Sequence, residues 1–243
     1  MAALTLAIPS KGRLKDNCNT WFAERGVVME QTAGARGYRA SFVGLPEIEV
    51  MLLSAGEIAS SLLAGDIHLG ITGEDLLREE APELAGRMHL IKPLGFGFAD
   101  VVVAVSEYWI DVTTMADLDD ICAAFAVKQR RRLRVATKYA QLTRSFFAQA
   151  RIADYRIVPS AGATEGAVAA GTAEVIVDIT TTGATLRDNG LKVLEDGVIL
   201  KSQAQLAASV TADWTDEARA ACQVLLARLD PTAPLYATLA KQL

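Results

Sequence analysis

Short apolar runs alternate with stretches of helical periodicity from one end of the chain to the other. Runs that read as strands are Leu4–Pro9, Arg39–Val43, Glu49–Leu53, Ile67–Ile71, His89–Pro93, Asp100–Val105, Leu133–Thr137, Arg156–Val158 and Glu174–Ile179. Between them the spacing predicts helices near Lys15–Arg25, Gly56–Ala64, Glu74–Glu80, Met115–Ala126, Leu142–Ala150, Glu165–Ala170 and Leu186–Asn189. Strands joined by crossovers of about a dozen residues form parallel sheets covered by helices. Val101–Val105 and Val175–Val177 are unbroken apolar runs, as strands buried on both faces require.

The pattern changes after Asn189-Gly190. Leu191–Leu194, Gly197–Lys201 and Gln205–Val210 are consecutive strand-like pieces, followed by an amphipathic helix over Trp214–Leu229. Asp213 or Thr215 supplies its cap, and Asp230-Pro231 ends it. The glycine-rich Leu94–Phe98 reads as a crossover between two lobes. The expected architecture is α/β with mostly parallel sheets. Residues 1–96 with 182–243 form lobe I, 97–181 form lobe II, and ligands sit in a cleft between them at the strand C-termini.

Composition narrows the function. The 243 residues are 51% hydrophobic and 22% charged, with net charge −5, which excludes disorder. A pI near 5.2 argues against nucleic-acid binding through bulk charge. No apolar run approaches the roughly 20 residues of a membrane helix, and the N-terminus has no basic residue before its short apolar run, so a cytoplasmic protein is expected. Three scattered cysteines and two histidines fit reduced thiols and leave a zinc site hard to assemble. No P-loop, G-x-S-x-G elbow or H-E-x-x-H motif is present. Chemistry by positioning charged substrates is favoured over chemistry through a histidine base or a covalent cysteine.

Candidate sites fall at strand-to-helix junctions. In Glu174–Leu186 an apolar strand runs into Thr180, Thr181, Thr182, Gly183, Ala184 and Thr185. Unpaired N–H groups and hydroxyls there can cradle a phosphate. Glu174 and Asp178, four apart, share one strand face and can accept from sugar hydroxyls. Phosphate cradle plus carboxylates describes a phosphoribosyl site; a capped helix start is the structural alternative. Ala161–Gly166, with Thr164 and Glu165, is a second cradle. Lys11 and Arg13 after the first strand suit a diphosphate or triphosphate. Thr72 and Gly73, and Thr137 with Lys138, close two further junctions. Glu74 and Asp75 read as partners of a helix dipole, Lys128–Arg132 as a solvated basic run, and His68 and His89 as structural.

Taken in order, Lys11-Gly12-Arg13-Leu14, Asp66–Leu77, Arg134–Arg144 and Glu174–Gly190 resemble the ATP phosphoribosyltransferase family. The resemblance implies two lobes of the type II periplasmic-binding-protein kind. It also implies transfer of phosphoribosyl from phosphoribosyl diphosphate to N1 of ATP with magnesium, in the first step of histidine biosynthesis. Only about 40 residues follow Lys201-Ser202, too few for the regulatory domain of long forms, so the chain resembles the short form. Short forms imply a histidyl-tRNA synthetase-like regulatory subunit in a hetero-oligomer. The implied roles are Asp178 and Glu174 on the ribose and Thr180–Thr185 with Thr164 and Glu165 around the phosphate. Lys11 and Arg13 then meet the diphosphate, with Thr72, Gly73, Arg36 and Lys138 on the ATP side.

Three departures stand out. Ser10 separates Pro9 from Lys11, and Glu174 stands where aspartate is common. Ser54–Ala59 replaces a stretch in which long forms carry an arginine, leaving Arg36 and Arg39 as substitutes. Two alternatives stay open, a two-lobed binding module without turnover and an inactive regulatory paralogue.

Overall fold

Two sheets, each with its own core, account for the alternating pattern in a computed structural model that describes residues 3–31, 38–84, 86–160, 162–241 and 243. The first unit comprises Met1–Gly97 and Gln203–Leu243, the second Phe98–Ser202.

In the first unit β1 (Leu4–Pro9) is central. β4 (Leu45–Leu53) and β5 (Leu69–Gly73) flank it in parallel. β3 (Arg39–Phe42) and β2 (Met29–Gln31) continue one side, and β12 (Ala204–Ser209) and β6 (Met88–Pro93) the other. These outer pairings are all antiparallel, so the sheet is mixed and not mostly parallel as the sequence suggested. The reason is connection length. β3 and β4 join through the tight turn Val43-Gly44, and a parallel pair would need a full crossover.

Both faces of β1 are covered. Leu4, Leu6 and Ile8 meet Cys18 and Phe22 of α1 (Gly12–Ala23) and Ala218, Cys222 and Leu225 of α7 (Asp216–Leu229). Ala7 on the other face joins Ile58 and Leu62 of α2 (Ala55–Ala64) and Leu77 of α3 (Glu74–Glu80). Ser54 starts α2 with a capping box: Glu57 N–H donates to Ser54 Oγ, and Ser54 N–H to Glu57 Oε2 at 2.8 Å. Gly65 ends it at φ +85°, where a Cβ would lie 2.8 Å from the Thr211 carbonyl oxygen. Thr215 caps α7, as one of the two sequence options had it. The short helix α8 (Leu235–Leu239) had no sequence counterpart.

His68 is structural. Its Nδ1 accepts from Thr5 N–H at 3.1 Å, so the proton sits on Nε2, 3.0 Å from the Asp213 carbonyl oxygen, and the ring lies edge-on to Trp214.

The second unit is a five-stranded sheet in the order β11-β7-β10-β8-β9. β7 (Ala99–Ser106) runs antiparallel to both β10 (Val175–Thr180) and β11 (Leu191–Ser202). β8 (Leu133–Thr137) and β9 (Tyr155–Pro159) continue parallel to β10, so β10, β8 and β9 end on the same sheet edge. α4 (Met115–Gln129), α5 (Ala140–Gln149) and α6 (Ala184–Asp188) complete the unit.

The chain re-enters the first unit at Gln203 and not at residue 182. β11 pairs with β7 from Leu191 opposite Ser106 to Ser202 opposite Ala99, which ties residues 191–202 to the second sheet. The two strand pieces expected at 191–194 and 197–201 are one strand with register shifts around Gly197. The helix expected over 165–170 reduces to a single 3-10 turn, Thr164–Gly166. Among the described residues no helix is long and apolar enough to cross a membrane.

Candidate functional site: a phosphate loop beside a half-buried carboxylate

At the end of β10 the chain leaves the sheet as an exposed loop and re-enters structure at α6. Threonine hydroxyls shape this loop from within. Gly183 N–H donates to Thr180 Oγ1 at 2.8 Å, and Ala184 N–H to Thr182 Oγ1 at 3.3 Å. Thr181 Oγ1 donates to the Phe98 carbonyl oxygen at 3.3 Å. Gly183 sits at φ +72°, a conformation that costs a residue with a Cβ about 1 kcal/mol or more. Thr181, Thr182, Ala184 and Thr185 are all exposed. With only five residues in α6, a helix dipole contributes little here.

Asp178 stands two residues before this loop, half-buried. Three elements surround its carboxylate. Ile179 N–H donates to Oδ1 at 2.8 Å, Thr164 reaches it from the 3-10 turn, and the charges of Lys138 and Glu165 act on it. Burial raises its pKa above the ordinary 3.8 and Glu165 adds to that, while the Ile179 N–H, Lys138 and Thr164 oppose it. The arrangement follows from topology. Val177 pairs with Thr137 and Thr137 with Pro159, so the residues after each strand collect at one edge.

Lys138 therefore stands beside Asp178 at one edge of the second unit's sheet. Its Nζ lies 4.9 Å from the ring centroid of Tyr139. Thr164 is 2% exposed, with Oγ1 3.0 Å from both Ser160 Oγ and the Gly162 carbonyl oxygen. Its hydroxyl braces the turn and Asp178 instead of facing outward as an anion donor. Ala161, the first residue of that expected cradle, lies outside the described residues.

Glu174 is the clearest correction. It precedes β10, at the opposite end from Asp178, and four residues of strand separate the two by roughly 13 Å. Its carboxylate is held by Arg134 Nη2 at 2.6 Å, Arg131 Nη2 at 2.9 Å and Arg134 N–H at 2.8 Å. Burial pushes the carboxyl up, but the hydrogen bonds from Arg134 and Arg131 outweigh it and hold the pKa at about 2. Glu174 is clamped at the base of the strand, the end away from the Thr180–Thr185 loop. In the sequence Arg131 belongs to a solvated basic run, and only knowledge of which strands are neighbours assigns it to Glu174.

In the first unit, Lys11 and Arg13 are exposed at the start of α1, and neither is ion-paired among the described residues. This 12-residue helix begins with no side-chain cap and no acid in its first turn. Thr72 is fully buried and donates to the Ala55 carbonyl oxygen at 2.8 Å, which ties β5 to α2 and engages the hydroxyl's proton within the fold. Gly73 caps α3, with Glu74 tied to Arg78 at 2.7 Å and Gln205 at 2.8 Å. Arg39 pairs with Glu49 at 2.9 Å, and Arg36 lies outside the described residues.

Burial pushes the thiols of Cys18, Cys122 and Cys222 up to about 12, far from thiolate nucleophiles. Among the described residues no group of three or more His, Cys, Asp or Glu side chains is arranged to hold a metal.

A family model for ATP phosphoribosyltransferase (HisG) matches residues 54–231. An ATP phosphoribosyltransferase of Rhodopseudomonas palustris strain HaA2 is 59% identical over 225 residues, covering 93% of this chain and 69% of that relative. The Caulobacter vibrioides NA1000 protein of the same name is 59% identical over 223 residues, 92% of this chain and 70% of its own length. Among solved structures, the ATP phosphoribosyl transferase (HisG:HisZ) complex from Thermotoga maritima aligns with TM-score 0.69 at 23% identity, over 94% of this chain and 96% of that one. The periplasmic aliphatic sulphonate binding protein of Escherichia coli aligns with TM-score 0.51 at 18% identity, over 100% and 76%. The structural likenesses show the fold, two lobes of the periplasmic-binding-protein kind.

Proposed function

The chain belongs to the ATP phosphoribosyltransferase family, a group of pentosyltransferases, and we propose that its second unit binds phosphoribosyl diphosphate. The observation that carries this reading is a largely exposed Thr180–Thr185 loop two residues after a half-buried carboxylate. The loop holds the 5′-phosphate through its N–H groups and hydroxyls, and Asp178, with Glu165 beside it, accepts from the ribose hydroxyls. Lys11 and Arg13 take the charge of the diphosphate as it leaves; the unmatched positive start of α1 supports an anion there. Gly73 is retained on the ATP side.

Adenine N1 attacks the anomeric carbon with its lone pair, on the face opposite the leaving diphosphate, so configuration inverts. No base is needed because N1 carries no proton. Catalysis is then orientation plus preorganised electrostatics, in which a single donor is typically worth about 2.7–4 kcal/mol of barrier. Magnesium commonly binds one or two carboxylates together with substrate phosphates, and the pair Asp178 and Glu165 suits that pattern. We assign magnesium to the donor's diphosphate, where it neutralises charge. The reaction is placed in the cytoplasm, a setting that suits three free cysteines.

We further propose short-form behaviour, with a histidyl-tRNA synthetase-like regulatory subunit as partner. Its support is the near-complete match to the Thermotoga chain named in a HisG:HisZ complex. The relatives at 59% identity extend beyond the matched stretch by about three tenths of their length, so the partner requires its own experiment.

The experiment follows N1-phosphoribosyl-ATP formation by ultraviolet absorbance from ATP, phosphoribosyl diphosphate and magnesium. It uses the purified chain alone and then with the candidate subunit. Product establishes the transferase, and a rise on adding the subunit establishes the partner. Binding of both substrates without product in either mixture overturns the reading in favour of a binding module.

A further inference from the structure

We propose that Lys138 binds the diphosphate of the phosphoribosyl donor, a role that rests on the reading of Asp178 and its loop. Lys138 follows β8 as Asp178 follows the Val177 position of β10, and the pairing of Val177 with Thr137 sets the two residues side by side at the sheet edge. The lysine is exposed and makes no ion pair among the described residues, although Asp178 and Glu165 are neighbours.

Its ammonium is nevertheless positioned. The Tyr139 ring beneath it is 1% exposed, and the backbone at that residue is fixed by Tyr139 N–H donating to Thr137 Oγ1 at 2.8 Å and by the Thr143 hydroxyl donating to the Tyr139 carbonyl oxygen at 2.6 Å. A cation over a buried aromatic face keeps its N–H groups available to a ligand.

Stereochemistry supplies the rest. In the donor the 1-diphosphate lies on the α face, the face that also carries the 2- and 3-hydroxyls. A carboxylate holding those hydroxyls therefore stands on the diphosphate's side of the ring, and Lys138 is the cation whose charge acts on that carboxylate. The nucleophile arrives from the other face and meets no obstruction from it. In the transfer, the N1 lone pair forms the N–C bond while the C–O bond breaks, its electron pair passing to the diphosphate oxygen. No proton moves, the base takes up the positive charge, and Lys138 meets the negative charge gained by the leaving group.

The test uses the full chain and two simple probes. Ribose 5-phosphate carries the phosphate and hydroxyls without the diphosphate, and magnesium diphosphate carries the reverse. Lys138→Met is expected to weaken binding of magnesium diphosphate, and to raise KM for phosphoribosyl diphosphate, by about 10-fold to 100-fold. Ribose 5-phosphate affinity should stay within about twofold, and Lys138→Arg should keep most of the diphosphate affinity. Equal weakening of both probes would mean that Lys138 acts only through Asp178 or the local fold, and would overturn the assignment. An unchanged diphosphate affinity would do the same, as would a Lys138→Arg variant as weak as Lys138→Met. If the unaltered chain binds magnesium diphosphate but not ribose 5-phosphate, the reading of the Asp178 loop fails and takes this proposal with it.

Discussion

Replacing Glu174 by glutamine separates a structural from a catalytic role for this residue. The carboxyl lies at about 2 instead of the ordinary 4.5, and at about 1.4 kcal/mol per pH unit that difference is worth about 3 kcal/mol. The Glu174 side chain is 13% exposed but Arg131 is 43% exposed, so solvent screening reduces the figure to about 2 kcal/mol. Because the folded-state value is depressed, this stability is present above about pH 4.5 and is lost as pH falls toward 2. Urea unfolding of the two proteins at a series of pH values should show Glu174→Gln less stable by about 2 kcal/mol at pH 7, with the gap closing below about pH 4.5. Turnover per folded molecule should change little. A variant as stable as its parent at pH 7, or a gap independent of pH, would refute the clamp. Intact stability with a collapse of turnover would restore the ribose role instead.

Asp178→Asn is expected to lower kcat by about 10²-fold to 10³-fold in the ultraviolet assay. Its stability should hold or rise at pH 7, since a carboxyl whose pKa burial has raised costs stability once ionised; a less stable variant would contradict that sign. Ser54→Ala, which breaks the capping box of α2, should cost about 1 kcal/mol in urea unfolding without altering substrate affinity. His68→Leu leaves the Thr5 N–H without its acceptor and should cost about 1–3 kcal/mol, with kcat preserved; lost activity in a fully folded variant would refute the structural assignment.

How much of this was legible in the sequence depends on the range of the signal. β1, β8 and α3 fall on the residues their patterns predict, because each is a local run whose faces are set by neighbours two to four positions away. The loop at Thr180–Thr185 was legible for the same reason. Strand order was not. Nothing local says that β10 lies between β7 and β8, and the direction of β12 follows from where the chain returns. The helix expected over 165–170 failed because a 3-10 turn, closed by Gly166 N–H to Ala163 and Ala167 N–H to Thr164, satisfies the same short apolar spacing. Hydroxyl roles were also hidden: Thr72 sits near the end of β5 as Thr180 sits at the end of β10, yet its hydroxyl is spent on the Ala55 carbonyl oxygen, a contact that only the packing of β5 on α2 creates.

Glu174 shows most directly how far local alternation along a strand reaches. Period-two alternation places residues 174 and 178 on one face, and that inference concerns direction only. A binding site also needs nearness, and about 3.3 Å of rise per residue converts four positions into a separation larger than a ribose ring. The strand thus carries two carboxylates with opposite electrostatic circumstances. At its base, two arginines and an N–H hold Glu174 ionised throughout the physiological range. At its tip, burial and Glu165 work against Lys138, Thr164 and the Ile179 N–H, leaving Asp178 half-buried with a raised pKa. A carboxylate already saturated by guanidinium groups has little left to offer a sugar hydroxyl. One held at a cost in free energy gains from accepting such hydrogen bonds, so the energetics of the two ends, as much as their distance, support the proposal that Asp178 takes the ribose hydroxyls.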